Sequence, residues 1–333
     1  MLTRKAAVLT GLAVLAVVVI AFGAAIGGRF ISVLKVLGST LPPMESEIFW
    51  KIRVPRVCTA FLAGSGLALS GMAFQALFRN ALAEPFTLGV ASGASFGAAL
   101  YVRFGVPFAV LGVSGTSMCA FLGAALAISL VYGLSKARKG LSAASMLLAG
   151  VAVSYSFSSA ILFTQYVSSP THSLQILRWV MGGLEVVGFR TVLDMLPFVL
   201  IGSAVIVYLT HELNLLSTGE DLATSRGVDV KRVKRLLFLA TSLMVGGIVS
   251  FCGPIGFVGL MAPHMCRMVI GSDHRYLAPA SILFGGIFLT LCDMLARVVI
   301  APAEIPVGVV TALLGGPFFL WLLLTGSSER SIA

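Results

Sequence analysis

Long apolar runs, broken by short polar connections, repeat along almost the whole chain. They lie near residues 8–28, 57–77, 88–105, 108–134, 142–167, 192–210, 235–252, 255–270, 277–300 and 307–324. A helix of about 20 apolar residues crosses the hydrocarbon of a bilayer. In lipid every backbone polar group must be satisfied within the protein, so runs of this length read as helices. The pattern predicts an all-α polytopic membrane protein with about ten transmembrane helices in one bundle, the third and eighth of them short. The whole chain, 1–333, reads as a single transmembrane domain. The first run follows Arg4 and Lys5 and continues without a charge from Ala6 to Ile26. It exceeds the apolar core of a cleavable signal, about 7–15 residues, and predicts an uncleaved first helix with a cytoplasmic N-terminus.

One passage breaks the pattern. Residues 211–235, HELNLLSTGEDLATSRGVDVKRVKR, carry nine of the chain's 36 charged residues (23 basic and 13 acidic in all). With the N-terminus inside, this segment falls between spans six and seven on the cytoplasmic side. The clusters Lys136–Lys139 and Lys231–Arg235 then both lie inside, as the positive-inside tendency requires. A solvated basic loop that fixes topology is one reading of 211–235; a surface that touches a partner is the other.

Smaller patterns mark helix faces. Ala60, Gly64 and Ala68, and again Gly89, Gly93 and Gly97, repeat every fourth residue, which lets helix backbones approach closely. Ser154, Ser158 and Gln165 share one face of the fifth span; such a stripe either bonds a neighbouring helix or faces water. Lys51, Arg53 and Arg56 crowd the mouth of the second span. They read either as cations snorkelling to the interface or as a rim for an acidic partner. Asp293 and Arg297 are four apart and can pair along one helix face. Pro254 and Pro263 are expected to break the helix near 255–270.

Composition narrows the function classes. The chain is 58% hydrophobic and 11% charged, with mean hydropathy +1.02, whereas soluble domains carry about 25% charged residues. The net charge of +10 lies between apolar spans, so topology and anionic membrane lipid account for it, and nucleic acid does not. The five cysteines sit in apolar runs without a C-x-x-C pair, and the histidines lack metal-ligand spacing. No catalytic constellation, cofactor site or metal site is expected. There is no G-x-x-x-x-G-K-[ST] phosphate loop, so any ATP used must bind another chain.

Several passages, in order, resemble one family. They are R-V-P-R at Arg53–Arg56, the run LSGMAFQALFRNALAEP from Leu69 to Pro85, and GVASGA at Gly89–Ala94. LLAGVA at Leu147–Ala152, GEDLATSRGV at Gly219–Val228 and GPIGFVGLMAPH at Gly253–His264 continue the match. It ends with SDHR at Ser272–Arg275 and Glu304-x-Pro306-x-Gly308-V-V-T-A. Together they resemble the FecCD-type permease subunits of binding-protein-dependent ABC importers for iron-siderophore, haem and cobalamin, and are similar to the vitamin B12 importer permease. Ala81 departs from the family's usual proline after the asparagine.

The resemblance implies a non-enzymatic transporter subunit, multi-pass in the inner membrane with both termini cytoplasmic. Its expected partners are a second permease copy, two cytoplasmic ATPase subunits that hold ATP and Mg, and a periplasmic or lipid-anchored substrate-binding protein. Residues 211–235 become a coupling segment, with Gly219, Glu220, Asp221, Ala223, Arg226 and Gly227 contacting the ATPase. Arg53, Arg56 and Arg297 become binding-protein docking residues. Ser154, Ser158 and Gln165 line the translocation pathway, and Asn80, Ala81, Leu82, Ser142 and Ala143 form cytoplasmic gates. An ion-coupled secondary transporter is the alternative; it would show inverted repeats and mid-span carboxylates, and no convincing repeat is present.

Overall fold

The computed structural model describes residues 2–27, 31, 36, 38, 41–105, 108–110, 112–137 and 143–324. The chain forms α1 (Leu2–Ala25), α2 (Pro43–Ile48), α3 (Val54–Phe78), α4 (Val90–Phe104) and α5 (Gly115–Ala137). It continues through α6 (Ala143–Tyr166), α7 (Pro170–Val180), α8 (Arg190–Tyr208), α9 (Thr210–Thr218) and α10 (Glu220–Ser225). It ends with α11 (Val230–Cys252), α12 (Val258–Ile270), α13 (His274–Val298) and α14 (Val307–Leu324). Among the described residues, seven helices are long and apolar enough to cross a membrane. The short α4, α12 and α14 occupy the other three expected spans.

Two expectations change in detail. Ala109–Val110 pairs antiparallel with Val113–Ser114, and the helix starts only at Gly115. The glycine at 112 has φ +84, a turn conformation that no helix continues through. Pro263 does not break its helix; it lies inside α12. Lacking an N–H, it leaves the Gly259 carbonyl without its helical donor.

The contacts divide the chain into two compact units. The first comprises 1–72, 184–197 and 256–333. In it α1 and α12 pack on α13, and Ala16 and Val19 of α1 bury against Ile287. A Cβ on Gly64 would collide with the Gly285 carbonyl, and one on Gly71 with that of Gly259. Ser65 Oγ donates to the Ile282 carbonyl at 2.9 Å. The small stripe of α3 is therefore a packing face, as its spacing predicts.

The second unit comprises 73–183 and 198–255. Its most extensive contact is α4 against α5, where Gly93 meets Gly123 backbone to backbone and Gly97 meets the Cys119 carbonyl. Helix α7 has no counterpart among the expected spans. Ser169 caps it, accepting from His172 N at 3.4 Å, and Pro170 occupies the first turn, both standard helix-start chemistry. Its buried Ile176 joins Ala99 and Ile161 in a core cluster.

Candidate functional site

The polar segment 211–235 folds as α9, α10 and the first turns of α11, all within the second unit. Gly219 (φ +130) and Gly227 (φ +85) end α9 and follow α10 in backbone conformations that side chains rarely adopt. Glu220 and Asp221 stand in the first turn of α10, where carboxylates complement the helix dipole. Asp229 caps α11 by accepting from Arg232 N at 3.0 Å. The short helix α10 is thus bounded by two glycine turns and followed by a capped membrane-length helix. Asp221, Thr224, Ser225 and Arg226 face outward, with Leu222 53% exposed among them.

Two members of the expected coupling set have inward roles. Ala223 is fully buried, and its carbonyl accepts from Val228 N at 3.1 Å. Its small size therefore serves packing within the segment, and it does not lie on the outward face. Glu220 is half committed as well, pairing with Lys234 at 2.6 Å. Leu222 was not among the expected residues; its signal was the one leucine between Gly219 and Gly227.

The three arginines expected to dock a binding protein do come together, but they point inward. Arg53, Arg56 and Arg297 are 9%, 9% and 5% exposed. Arg297 donates to the carbonyls of Ile26 (2.8 Å) and Gly23 (3.0 Å). Arg53 donates to those of Ala25 (2.8 Å) and Ala24 (3.5 Å). Four successive carbonyls at the C-terminus of α1 thus receive guanidinium donors. These are groups that a helix end leaves unpaired and that attract cations. Arg56 Nε bonds Asp293 Oδ1 at 2.9 Å, and its Nη1 reaches Glu304 Oε2 at 2.6 Å. The Asp293–Arg297 pair read from sequence forms at 3.1 Å, with the Arg297 N–H directed to the Asp293 carbonyl at 3.3 Å. Through these bonds Arg53, Arg56 and Arg297 form a clasp that holds α1, α3 and α13 of the first unit.

The hydroxyl stripe of α6 is split. Ser158 is exposed, Gln165 is half-buried, and Ser154 Oγ is buried without a hydrogen-bond partner. The Ser154 side chain lies beside Gly89, whose neighbour Leu88 packs on Gly150. Other hydroxyls of this helix return to their own backbone, Ser156 to Ala152 and Thr164 to Ala160. One face of α6 stays bare: Tyr155, Leu162, Phe163 and Tyr166 are all exposed.

The model of the FecCD transport family matches residues 12–325. The chain belongs to the FecCD transport family. Relatives of this FecCD chain include the hemin transport system permease protein HmuU of Yersinia pestis, 36% identical over 324 residues, or 96% of each chain. The vitamin B12 import system permease protein BtuC of Salmonella typhi is 41% identical over 287 residues, covering 84% of this chain and 85% of its own. A metal-chelate type ABC transporter solved in an inward-facing conformation matches with TM-score 0.85 and 32% identity, over 96% of this chain and 99% of that one. The FecCD chain is accordingly an all-helical, multi-pass membrane protein.

The FecCD turn after α3 is built without the usual proline. Arg79 adopts φ +49, and Asn80 N donates back to the Gln75 carbonyl at 3.1 Å, the Schellman pattern of a helix end. Asn80 Oδ1 accepts from Leu82 N at 2.9 Å, and its carbonyl accepts from Ala83 N at 3.1 Å. These bonds fix the turn that Ala81 leaves unrestrained by a ring. Asn80 and Leu82 are exposed and Ala81 is half-buried. Of the other expected gate, Ser142 lies outside the described residues and Ala143 opens α6.

Glu84 follows in this connection. The residue is half-buried, yet its Oε2 is enclosed and has no hydrogen-bond partner. Burial pushes its carboxyl up from 4.5 to about 7. A raised carboxyl favours folding in its protonated form, so its contribution is complete below the unfolded value and is lost as pH rises through the folded one. Thermal unfolding in detergent should show wild-type stability falling between about pH 4.5 and 7, and Glu84→Gln should flatten that slope. Equal slopes in both proteins would place the titration on another group.

Proposed function

We propose that this chain is the permease subunit of a binding-protein-dependent ABC importer that moves an iron chelate, haem or cobalamin across the inner membrane. Two copies form the pathway, each coupled through α10 to a cytoplasmic ATPase subunit that binds ATP and Mg; this chain binds neither. A periplasmic or lipid-anchored binding protein delivers the cargo, and both termini are cytoplasmic. The observation that carries the coupling role is α10 itself: a short, glycine-bounded helix with an outward charged and apolar face, set directly before a membrane-length helix. ATP-driven closure of the partner subunits would move α10 and thereby bias which side of the pathway is open. Against ion-coupled transport stands the buried acid of α13: Asp293 is taken up by Arg56 and Arg297.

Docking through Arg53, Arg56 and Arg297 is proposed in modified form. Arg56 reaches Glu304, whose side chain is 47% exposed. A carboxylate of the binding protein would compete with Glu304 for Arg56, while Arg53 and Arg297 frame the helix ends. In the pathway role, Ser158 and the bare aromatic face of α6 would line the route, with Ser154 and Gln165 behind them.

Uptake of labelled chelates into proteoliposomes, with ATPase and cognate binding protein present, tests the assignment and selects the cargo. In that assay Leu222→Ala combined with Arg226→Glu should lower transport about tenfold, the scale of losing one interface anchor. Insertion and dimer elution should be unchanged. Wild-type transport in the double variant would move the coupling contact away from α10.

A further inference from the structure

A cavity of about 430 Å³ lies beside the coupling segment, in the second unit. Its volume falls in the range of small-molecule sites, about 300–1,000 Å³. Arg226, Arg232 and His211 line it together with Glu212 and Asp229. Opposite charges sharing one cavity normally pair. Here, among the described residues, neither Arg226 nor Arg232 forms an ion pair with either carboxylate. Asp229 spends Oδ1 on the Arg232 backbone N–H. Glu212 Oε2 is buried and accepts no hydrogen bond. Among the described residues no ion pair neutralises the Glu212 carboxylate, whose residue lines the cavity, and a bound ammonium would do so. The adjacent Lys234 is already committed to Glu220.

The position is also specific. Two membrane-length helices end at this cavity, α8 at Tyr208 and α11 from Val230. Tyr208 and Leu236 line its mouth and are exposed, as is Leu239 one turn further along α11. Exposed aromatic and aliphatic side chains beside basic residues at the end of a span mark the headgroup level of a bilayer.

We infer that this cavity binds a zwitterionic phosphoethanolamine group, its phosphate on Arg226 and Arg232 and its ammonium on Glu212. A guanidinium pair suits phosphate oxygens, and a primary ammonium can donate to the Glu212 carboxylate. The apolar mouth favours the headgroup of phosphatidylethanolamine, with its acyl chains along Tyr208, Leu236 and Leu239.

The test uses the full-length permease, delipidated in detergent and followed by native mass spectrometry. It is titrated with phosphatidylethanolamine, phosphatidylglycerol, phosphatidylcholine and free O-phosphoethanolamine. Wild type should retain phosphatidylethanolamine about tenfold over the other two lipids, the scale of one charge-assisted hydrogen bond. Phosphatidylglycerol lacks the ammonium, and the choline group has no N–H to donate. Glu212→Gln should bring the ethanolamine-to-glycerol ratio close to one, and Arg232→Gln should weaken both. These are ratios within one sample, so a fall in folded yield does not imitate them. Should Arg232→Gln fail to fold, the Glu212→Gln ratio decides alone. Binding of free O-phosphoethanolamine with the same variant dependence, and no advantage from acyl chains, would support the site while assigning it to a soluble zwitterion. Equal retention of the three lipids, or an ethanolamine preference unmoved by Glu212→Gln, would overturn the inference.

Discussion

Asp293→Ala is expected to cost the folded protein about 3–5 kcal/mol, the scale of breaking a buried ion pair by removing one partner. Asp293 is fully buried and faces Arg56 at 2.9 Å and Arg297 at 3.1 Å. Its removal leaves two nearly enclosed guanidiniums without their shared anion. Both are held by other groups, so neither can swing freely to water: Arg297 by the Gly23 and Ile26 carbonyls, Arg56 by Glu304. The loss should appear as a large fall in the unfolding temperature of the detergent-solubilised protein and in the yield of monodisperse protein. Glu304→Gln supplies the comparison. Its carboxylate is half exposed, and pairs of that kind contribute about 0–1 kcal/mol. Unfolding of Asp293→Ala at the wild-type temperature would mean that the α1 carbonyls alone hold the arginines.

The same geometry changes how docking can be tested. Charge reversal at Arg53 would set a carboxylate against the Ala24 and Ala25 carbonyl oxygens. A defect in binding-protein association would then report a damaged helix end. Glu304 is the better handle, because its exchange leaves the α1 contacts in place. Weaker competition for Arg56 in Glu304→Gln should tighten docking if Arg56 meets the partner.

How far the sequence revealed this molecule depended on which physical quantity was being read. Hydrophobic run length is a local property, and each of the ten apolar runs holds a helix. The small-residue stripes were equally legible, since Gly64, Gly93 and Gly97 do meet neighbouring backbones. Helix α7 was missed because an 11-residue amphipathic helix lacks a long apolar run. The direction of a side chain was not legible. A cation at the end of a span is written identically whether it faces water or a helix carbonyl, and only the fold brings Arg53 and Arg297 to residues 23–26. Ala223 shows the same limit, because a small residue permits close approach on either face. The segment 211–235 was recognisable by contrast with its surroundings. Its cavity was not, since Tyr208 and Glu212 join Arg232 only when α8, α9 and α11 are folded.

Gly71→Leu is expected to be as damaging as the loss of Asp293, for a reason that begins at another residue. Pro263 lies within α12 and has no N–H, so the carbonyl four residues earlier, Gly259, lacks its helical donor. That carbonyl is the group against which Gly71 of α3 packs, so closely that any Cβ at 71 would overlap it. Both glycines are buried. The proline thus exposes an oxygen, and the glycine lets α3 approach until its Cα–H can face it, a contact worth about 0.5–1 kcal/mol. A methyl group at 71 meets rigid backbone and cannot be relieved by a rotamer change. Gly71→Ala should therefore fall at the upper end of the 1–3 kcal/mol cost of overpacking, and Gly71→Leu beyond it. Gly133, with open space around it inside α5 and four residues from its end, is the control. Gly133→Ala should be neutral or stabilising by about 0.5–1 kcal/mol, because alanine gives up less backbone entropy in a helix. Unfolding temperatures of the three variants in one detergent separate the ideas. A Gly71→Ala protein as stable as Gly133→Ala would show that α3 and α12 can move apart at no cost, and the contact would then have no part in holding the first unit together.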